Sequence, residues 1–345
     1  MRLIAVLLAT LLLGACSSMM VQQAGRPPLG FQGPRLDAEA FVSFDGSRLG
    51  LSRWEAGGEP KAVLIGVHGM NDYARAFAMA APYWAANGVT TYAYDQRGFG
   101  RSPHRGVWAG DELMIEDLRT ITALVRGLHP GVPVVVAGES MGGAVTIEAF
   151  ASDRPPAADR VILMAPAVWG WSSQPLPYKT ALWFAARATP GKVYSPPRWV
   201  TNRVKPTDNR EELISMGRDP LMVWGARSDF LYAFVGLMER AWRQVGQVRV
   251  PVLYIYGAND EIIPKKPSME AARRLKPTDR SAFYAKGWHL MTRDHNRSVV
   301  QADLLSFILD PAAPLPSNPP PIPGPRAWPN AILPPQGAAK AVAGL

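Results

Sequence analysis

Residues 134–143 read VVVAGESMGG, an apolar run followed by a serine between glycines. The run over 132–137 is rich in β-branched residues, which predicts a strand buried on both faces. Residues 141–151 carry apolar side chains three and four apart, which predicts a helix. Glycine tolerates backbone angles and close contacts that a side chain forbids, so the flanking glycines indicate a sharp turn that presents Ser140.

The rest of the chain alternates predicted strands with predicted helices. Further apolar runs predict strands over 61–67, 90–94, 160–164, 250–256 and 281–285, and Asp45-Gly46 joins a hairpin of 41–44 and 49–54. Further helices are predicted over 111–128, 266–275 and 294–309. This alternation predicts an α/β fold with a mainly parallel, eight-stranded sheet flanked by helices.

The alternation stops between about 167 and 247. This stretch is rich in Pro and Arg and contains the tryptophans Trp169, Trp171, Trp183, Trp199, Trp224 and Trp242. It predicts a helical insertion, a cap, over the sheet. A plain extra helical layer is the alternative, but aromatic surface beside a cleft favours a cap that lines the entrance for an apolar ligand.

The pattern G-x-S-x-G between a strand and a helix is a nucleophile elbow, and it makes Ser140 the candidate nucleophile. A serine needs a base to take its proton, and in this arrangement the histidine comes last along the chain. Only His289 and His295 follow Ser140. His289 comes just after the strand over 281–285, where a loop can reach the carboxyl edge of the sheet, whereas His295 fits a surface or capping role.

The third catalytic residue is a carboxylate that orients the histidine. Asp260 comes four residues after the strand over 250–256. This places it at the carboxyl edge of the sheet, where α/β proteins bind their ligands. Glu261 is its competitor, with an alternative role as a solvated neighbour. No acidic residue directly follows the strand over 160–164, which removes the other usual position.

Hydrolysis through a serine also needs two N–H donors for the oxyanion. The residue after the nucleophile supplies one, which assigns Met141, and the loop after an earlier strand supplies the other, which assigns Met70. His68 in that loop precedes the serine. We interpret it as orienting the loop by hydrogen bonding rather than as a base.

These motifs together resemble a known family. His68-Gly69-Met70-Asn71-Asp72, Asp95-Gln96-Arg97-Gly98-Phe99-Gly100-Arg101-Ser102, Gly138-Glu139-Ser140-Met141-Gly142-Gly143, Asp260 and Trp288-His289 are similar in order and spacing to the monoacylglycerol lipase and lysophospholipase branch of the α/β-hydrolases, often grouped with serine aminopeptidases. The resemblance covers about residues 37–310.

The resemblance implies an α/β-hydrolase fold and a serine esterase that cleaves small acyl esters or lipids through an acyl-enzyme, with no cofactor and no metal. Asp72 stands where these lipases carry a Glu near the glycerol site, so it is a candidate substrate contact. Their Arg in the same loop is replaced by Ala76.

Other functions remain open at this stage. A peptidase or amidase could use the same triad, and an aminopeptidase would need carboxylates such as Asp72 and Glu139 to hold a free ammonium group. A surface lipoprotein that only binds lipid is a second alternative. Acyl transfer to an alcohol instead of water is a third.

The N-terminus carries Arg2, an apolar run over 3–13, Gly14-Ala15 and then Cys16, the only cysteine. It resembles a bacterial lipoprotein signal, with residues 1–15 as signal peptide, Cys16 as the lipid anchor to the membrane and 16–36 as a linker. Ser17 after the cysteine then implies the outer membrane, on its periplasmic or surface side. An incidental cysteine is the alternative.

The formal net charge is +9, but the terminal segments 1–36 and 311–345 hold five Arg or Lys residues and no acid, which leaves +4 for residues 37–310. Neither this balance nor the distribution of basic residues indicates a nucleic-acid partner. Residues 311–345 hold 11 of the 33 prolines, which predicts an extended, mostly disordered tail.

Overall fold

The computed structural model describes residues 19–201 and 203–323, and the backbone alone at positions 198 and 201. Its main sheet is built from β1 (Arg35–Leu36), β2 (Ala40–Val42), β3 (Arg48–Trp54), β4 (Ala62–Val67), β5 (Val89–Tyr94), β6 (Val134–Glu139), β7 (Arg160–Met164), β10 (Val252–Gly257) and β11 (Arg280–Tyr284). A separate two-stranded ribbon pairs β8 (Val193–Tyr194) with β9 (Ala226–Arg227).

The strand order in the main sheet is β1-β2-β3-β5-β4-β6-β7-β10-β11. Six strands run parallel to one another: β5, β4, β6, β7, β10 and β11. Strands β1, β2 and β3 are antiparallel at one edge. The predicted α/β fold is therefore confirmed. The described sheet has nine strands rather than the predicted eight, because the two-residue β1 lies in the predicted linker and is too short to show a periodic pattern.

The helices are α1 (Ala81–Ala86), α2 (Asp111–Leu128), α3 (Met141–Ala151), α4 (Leu176–Ala188), α5 (Arg198–Thr201), α6 (Arg210–Arg218), α7 (Ser228–Gln244), α8 (Lys265–Ala272) and α9 (Arg297–Leu309). Helix α3 contacts both α2 and α7. None of the helices within the described ranges has the length and apolarity that a membrane span requires.

The predicted cap ends earlier than position 247. Helix α7 packs on α3, and its side chains Phe230, Leu237 and Ala241 are buried in the main hydrophobic core. We therefore define the cap as residues 167–227, which include α4, α5, α6 and the β8–β9 ribbon. Helix α7 is assigned to the hydrolase core because it packs on α3, although another part of its surface faces α4 of the cap.

Parts of both predicted terminal extensions lie against the domain. The Phe283 N–H donates to Pro320 O at 2.8 Å, and Leu315 and Ile322 are buried. Residues 311–323 are therefore a packed strap over β11, and the expectation of a disordered tail is wrong for them. The remainder of the predicted tail, residues 324–345, lies outside the described residues.

Candidate active site

Ser140 lies on a strained turn between β6 and α3. Its φ is +51°, in the left-handed region that a side chain disfavours. The turn is held by the Ser140 N–H, which donates to Met164 O at 3.0 Å, and by Ser140 O, which accepts from the Ala167 N–H at 2.8 Å. The strand-turn-helix context that the elbow motif predicts is present, with the strained residue being the serine itself.

The glycines around Ser140 are required by close approach rather than by backbone angle. A Cβ at position 142 would lie 2.1 Å from Val67 O, and one at position 143 would lie 2.7 Å from Pro166 Cβ. Neither glycine of G-x-S-x-G has a positive φ. The motif therefore allows α3 to start directly against β4 and the segment after β7.

Asp260 and His289 are brought together from the loops after β10 and β11. Asp260 Oδ2 lies 2.9 Å from His289 Nδ1, and Oδ1 accepts from the N–H groups of Ile262 at 2.8 Å and Ile263 at 2.9 Å. Both side chains are buried. Although burial lowers the pKa of His289, the charge and hydrogen bond of Asp260 raise it above its ordinary value.

The imidazole is close enough to the elbow for the charge of Glu139, the residue before Ser140, to raise the His289 pKa as well. Within residues 19–201 and 203–323, however, Ser140 Oγ forms no hydrogen bond. The structure thus joins two of the three predicted catalytic residues directly. Catalytic hydrogen bonds often tighten only when substrate is bound.

The predicted oxyanion loop lies against the nucleophile. A Cβ at Gly69 would lie 3.2 Å from Ser140 Cβ, so the loop passes the serine at contact distance. In the described part of the chain, neither the Met70 nor the Met141 N–H has an acceptor. Two unpaired donors beside a nucleophile suit a developing oxyanion.

His68 holds this loop in place. Its Nε2 accepts from the Gln96 N–H at 2.8 Å, so Nδ1 carries the proton and donates to Gly69 O at 2.7 Å. Burial lowers the His68 pKa, which keeps the ring neutral. With both nitrogens occupied, His68 has the orienting role expected from the sequence.

Arg293 is a site residue that the sequence did not reveal. Its guanidinium is buried and donates to Asp72 Oδ2 and to Glu139 Oε1, each at 2.6 Å, and it lies 3.6 Å from Glu212 Oε1 in the cap. It also lies four residues after His289. One cation therefore ties together the oxyanion loop, the elbow and the cap.

This network changes the interpretation of Asp72. Its Oδ2 is paired with Arg293 and its Oδ1 accepts from the Tyr73 N–H at 2.8 Å, and the residue is 4% exposed. Asp72 is therefore held within the protein by one partner on each carboxylate oxygen, and its contact with substrate stays a prediction. Glu139, the other carboxylate considered for an ammonium group, is likewise held by Arg293.

The competing residues have other environments. Glu261 accepts from the Lys205 N–H of the cap at 2.8 Å, whereas His289 Nδ1 is bonded to Asp260. His295 is exposed, and its N–H donates to Asp208 Oδ1. The geometry therefore favours Asp260 over Glu261 and His289 over His295.

An apolar cavity of about 600 Å³ lies between α4 and α7. Glu261, Ile262 and Ile263, which directly follow Asp260, line one part of it, and Tyr194 of the ribbon lines another. Trp169, two residues after the Ala167 that bonds the elbow, also contributes. Ser140 itself does not line it, so the cavity adjoins the candidate catalytic residues without enclosing them.

Comparison with known proteins places this site in a family. Residues 58–296 match the family described as serine aminopeptidase, S33 (Hydrolase_4). The monoacylglycerol lipase of Mycolicibacterium smegmatis is 24% identical over 283 residues, which cover 78% of this chain and 96% of that protein. The monoglyceride lipase of Mus musculus is 24% identical over 76% of this chain and 86% of its own length.

Among solved structures, a soluble variant of the Saccharomyces cerevisiae monoglyceride lipase, in complex with a substrate analogue, superposes with a TM-score of 0.64 at 17% identity. It covers 83% of this chain and 98% of that chain. At this identity the likeness shows the fold alone, which is that of the α/β-hydrolases. On its matched residues, this chain belongs to the serine aminopeptidase S33 (Hydrolase_4) family of α/β-hydrolases.

Proposed function

We propose that this protein hydrolyses carboxylic esters of lipid-like monoacyl substrates, with Ser140 as nucleophile, His289 as general base and Asp260 as its orienting carboxylate. That the chain is an ester-hydrolysing enzyme follows from its family and from lipase relatives over most of its length. The observation that carries the catalytic assignment is the buried Asp260–His289 pair beside the Ser140 elbow.

In the proposed reaction, Ser140 Oγ attacks the ester carbonyl carbon while His289 Nε2 takes its proton. The carbonyl oxygen becomes an oxyanion held by the Met70 and Met141 N–H groups. The C–O bond of the ester breaks, and the leaving alcohol receives the proton from His289. Water, deprotonated by His289, then attacks the acyl-enzyme and releases the carboxylic acid.

The apolar cavity supports an acyl chain as the part of the substrate that is recognised. Residues from α4, α7 and the loop after β10 surround a volume suited to a small ligand, and most of its lining is apolar. The lipase relatives agree with this substrate class.

The test is turnover of p-nitrophenyl esters and mass spectrometry of the trapped acyl-enzyme. We expect Ser140→Ala and His289→Ala to abolish turnover, with the acyl adduct found on Ser140. The exposed Ser298→Ala and His295→Ala are matched controls that should retain activity. Full activity in Ser140→Ala would refute the proposal.

Peptidase activity is less well supported, because Arg293 already neutralises Asp72 and Glu139, the carboxylates considered for a substrate ammonium. Comparison of aminoacyl amides with acyl esters of equal chain length would reveal an aminopeptidase if the amides were turned over faster.

We further propose that acylated Cys16 tethers the enzyme to a bacterial membrane, the outer membrane by the lipoprotein resemblance. Cys16 lies outside the described residues. The proposal rests on the apolar run and small residues before the cysteine. Metabolic labelling with a palmitate analogue, lost in Cys16→Ser, tests it.

A further inference from the structure

Residues 19–22, the first described residues, form an N-terminal strap that is bonded to the start of α7 and to the segment before α2. Met20 N–H donates to Asp229 Oδ2 at 3.0 Å, at the start of α7. Val21 pairs with Trp108 in a parallel bridge, and the buried Gln22 donates from Nε2 to Val107 O at 2.7 Å. The first described residues therefore lie at a defined place, the corner beside the start of α7.

The β8–β9 ribbon lies at the same corner. The Asp229 N–H donates to Pro190 O, and the Ser228 N–H donates to Lys192 O, so the start of α7 is bonded to the segment that enters β8. Val193 pairs with Arg227, two residues before Asp229. The strap and the ribbon are thus connected through three consecutive residues of one segment.

This corner exposes large apolar side chains. Met19 and Met20 of the strap are 40% and 53% exposed, and Val193 and Trp224 at the ribbon are 59% and 54% exposed. We call these four residues the corner face. Helix α4, which leads into the ribbon, adds exposed Leu176, Trp183 and Phe184. Exposed apolar side chains grouped in one region of a protein are typical of a site that binds a membrane or a protein.

The charge distribution favours a membrane with anionic lipids. The cap, residues 167–227, holds nine Lys or Arg and four Asp or Glu, a net charge of +5, whereas residues 37–310 as a whole carry +4. The rest of the domain is therefore slightly acidic. Apolar side chains beside basic ones are typical of interfacial attachment to anionic lipid.

The length of the chain before the strap limits where an anchor can reach. Met20 is the fourth residue after Cys16, and fully extended chain spans at most about 3.6 Å per residue, so the anchor lies within about 14 Å of Met20. Helix α2, whose 18 residues begin near the strap, is about 27 Å long. A lipid on Cys16 therefore keeps the strap, and the corner face beside it, within about 14 Å of the membrane surface, whereas the far end of α2 is not restricted in this way.

We propose that the corner face lies on the bilayer, so that the strap orients the enzyme with its cavity toward the lipid. Tyr194 and Ser228, which belong to this corner, line the apolar cavity whose other part adjoins Asp260. An acyl chain leaving the bilayer then enters the cavity at the ribbon and extends toward the catalytic residues. This inference rests on the proposed ester hydrolysis and on acylation of Cys16.

The test uses the acylated full-length chain, in which Cys16 is consumed and an introduced cysteine is the only free thiol. Val193→Cys and Trp224→Cys probe the corner face, and Leu128→Cys, 59% exposed at the far end of α2, is the matched control. Each carries an environment-sensitive nitrobenzoxadiazole label. Vesicles contain phosphatidylcholine with or without phosphatidylglycerol.

We expect labels at positions 193 and 224 to become brighter and blue-shifted on vesicles, and more so with phosphatidylglycerol, while the label at position 128 stays unchanged. An equal response at all three positions, or a response at 128 alone, would overturn the orientation. Labelling of the protein without an introduced cysteine shows whether Cys16 is free, and turnover of a soluble p-nitrophenyl ester shows whether hydrolysis stands. Failure of the orientation is therefore distinguishable from failure of the anchor or of the reaction.

A second arm separates the protein surface from the lipid anchor. Cys16→Ser protein should still float with anionic vesicles, since each cation near an anionic surface raises partitioning roughly fivefold. Val193→Ser with Trp224→Ser in that background should reduce flotation, while Leu128→Ser should not. Equal flotation of these two variants would contradict a role for the corner face.

Discussion

Replacement of Arg293 with methionine tests whether one buried cation assembles the site. Methionine has a similar length and fits an apolar environment, so it removes the charge with little loss of volume. The change leaves Asp72 and Glu139 buried without their shared partner, and Glu212 loses a cation 3.6 Å away.

Removing one partner of a buried ion pair costs about 3–5 kcal/mol, because the other charge is left in a poorly solvating interior. Here two carboxylates lose their cation at once, so we expect at least that loss in the free energy of unfolding. Burial already raises the pKa of Glu139, and without Arg293 it should rise further. A carboxylate whose pKa is raised by folding destabilises the fold as pH rises, so the variant should regain stability at lower pH.

The variant should also lose catalytic activity under conditions in which it remains folded. Arg293 holds the oxyanion loop through Asp72 and the elbow through Glu139. Loss of a single oxyanion donor costs about 10²- to 10³-fold in kcat, and we expect a reduction of this order with a smaller change in KM. Arg293→Lys keeps the charge but loses the forked guanidinium that reaches two carboxylates. Its kcat should therefore lie between those of the wild type and Arg293→Met.

The assays are urea unfolding and esterase kinetics below the unfolding transition, with the exposed Arg273→Met as matched control. Arg293→Met combined with Asp72→Asn and Glu139→Gln removes the stranded charges. This triple variant should recover stability without recovering kcat, which a merely structural role would not predict. An unfolding free energy of Arg293→Met within about 1 kcal/mol of the wild type, typical of an exposed pair, would refute the reasoning.

Three further predictions follow from the site, the cavity and the C-terminal strap. Asp260 raises the pKa of His289 above its ordinary value, and His289 must be unprotonated to act as the base, so activity should rise with pH through this pKa. Asp260→Asn should move this limb of the pH profile to lower pH and reduce kcat about 10⁴-fold. An unshifted limb in the pH profile of kcat/KM would contradict this role, and the stabilising effect of the pair should be lost as pH rises through the same pKa. Leu182→Trp should fill part of the cavity and lower kcat/KM for long-chain esters while sparing acetate esters, so a uniform loss across chain lengths would argue against an acyl site. Truncation after Asp310 should lower the unfolding free energy by about 3–6 kcal/mol relative to truncation after Pro323, because Leu315 and Ile322 lose their buried positions, and equal melting temperatures would show that the strap does not stabilise the domain.

Much of the fold and part of the candidate site could be predicted from local sequence patterns. The strand over 160–164 and the helices over 111–128 and 141–151 have the bounds expected from the sequence. Apolar periodicity and β-branched runs are local properties, so they can be recognised without knowledge of the tertiary structure. The elbow motif fixed Ser140 in the same way. Only two histidines follow it, and the positions of His289 and Asp260 just after predicted strands favoured them over His295 and Glu261.

The interactions between distant segments were set by the tertiary structure. Arg293 is separated by 221 residues from Asp72 and by 154 from Glu139, and nothing in its neighbourhood marks it among the other arginines. The C-terminal strap was hidden for a related reason. Its prolines exclude regular structure, but a chain without helix or strand can still pack its apolar side chains on a sheet edge.

The sequence by itself therefore determined the order of strands and helices and the chemistry of the nucleophile, because both depend on neighbouring residues. Only the tertiary structure decided which charges neutralise each other, where the cap ends and which corner the N-terminal strap occupies. These depend on which surfaces meet when the sheet closes, and burial then forces each charged group to find a partner.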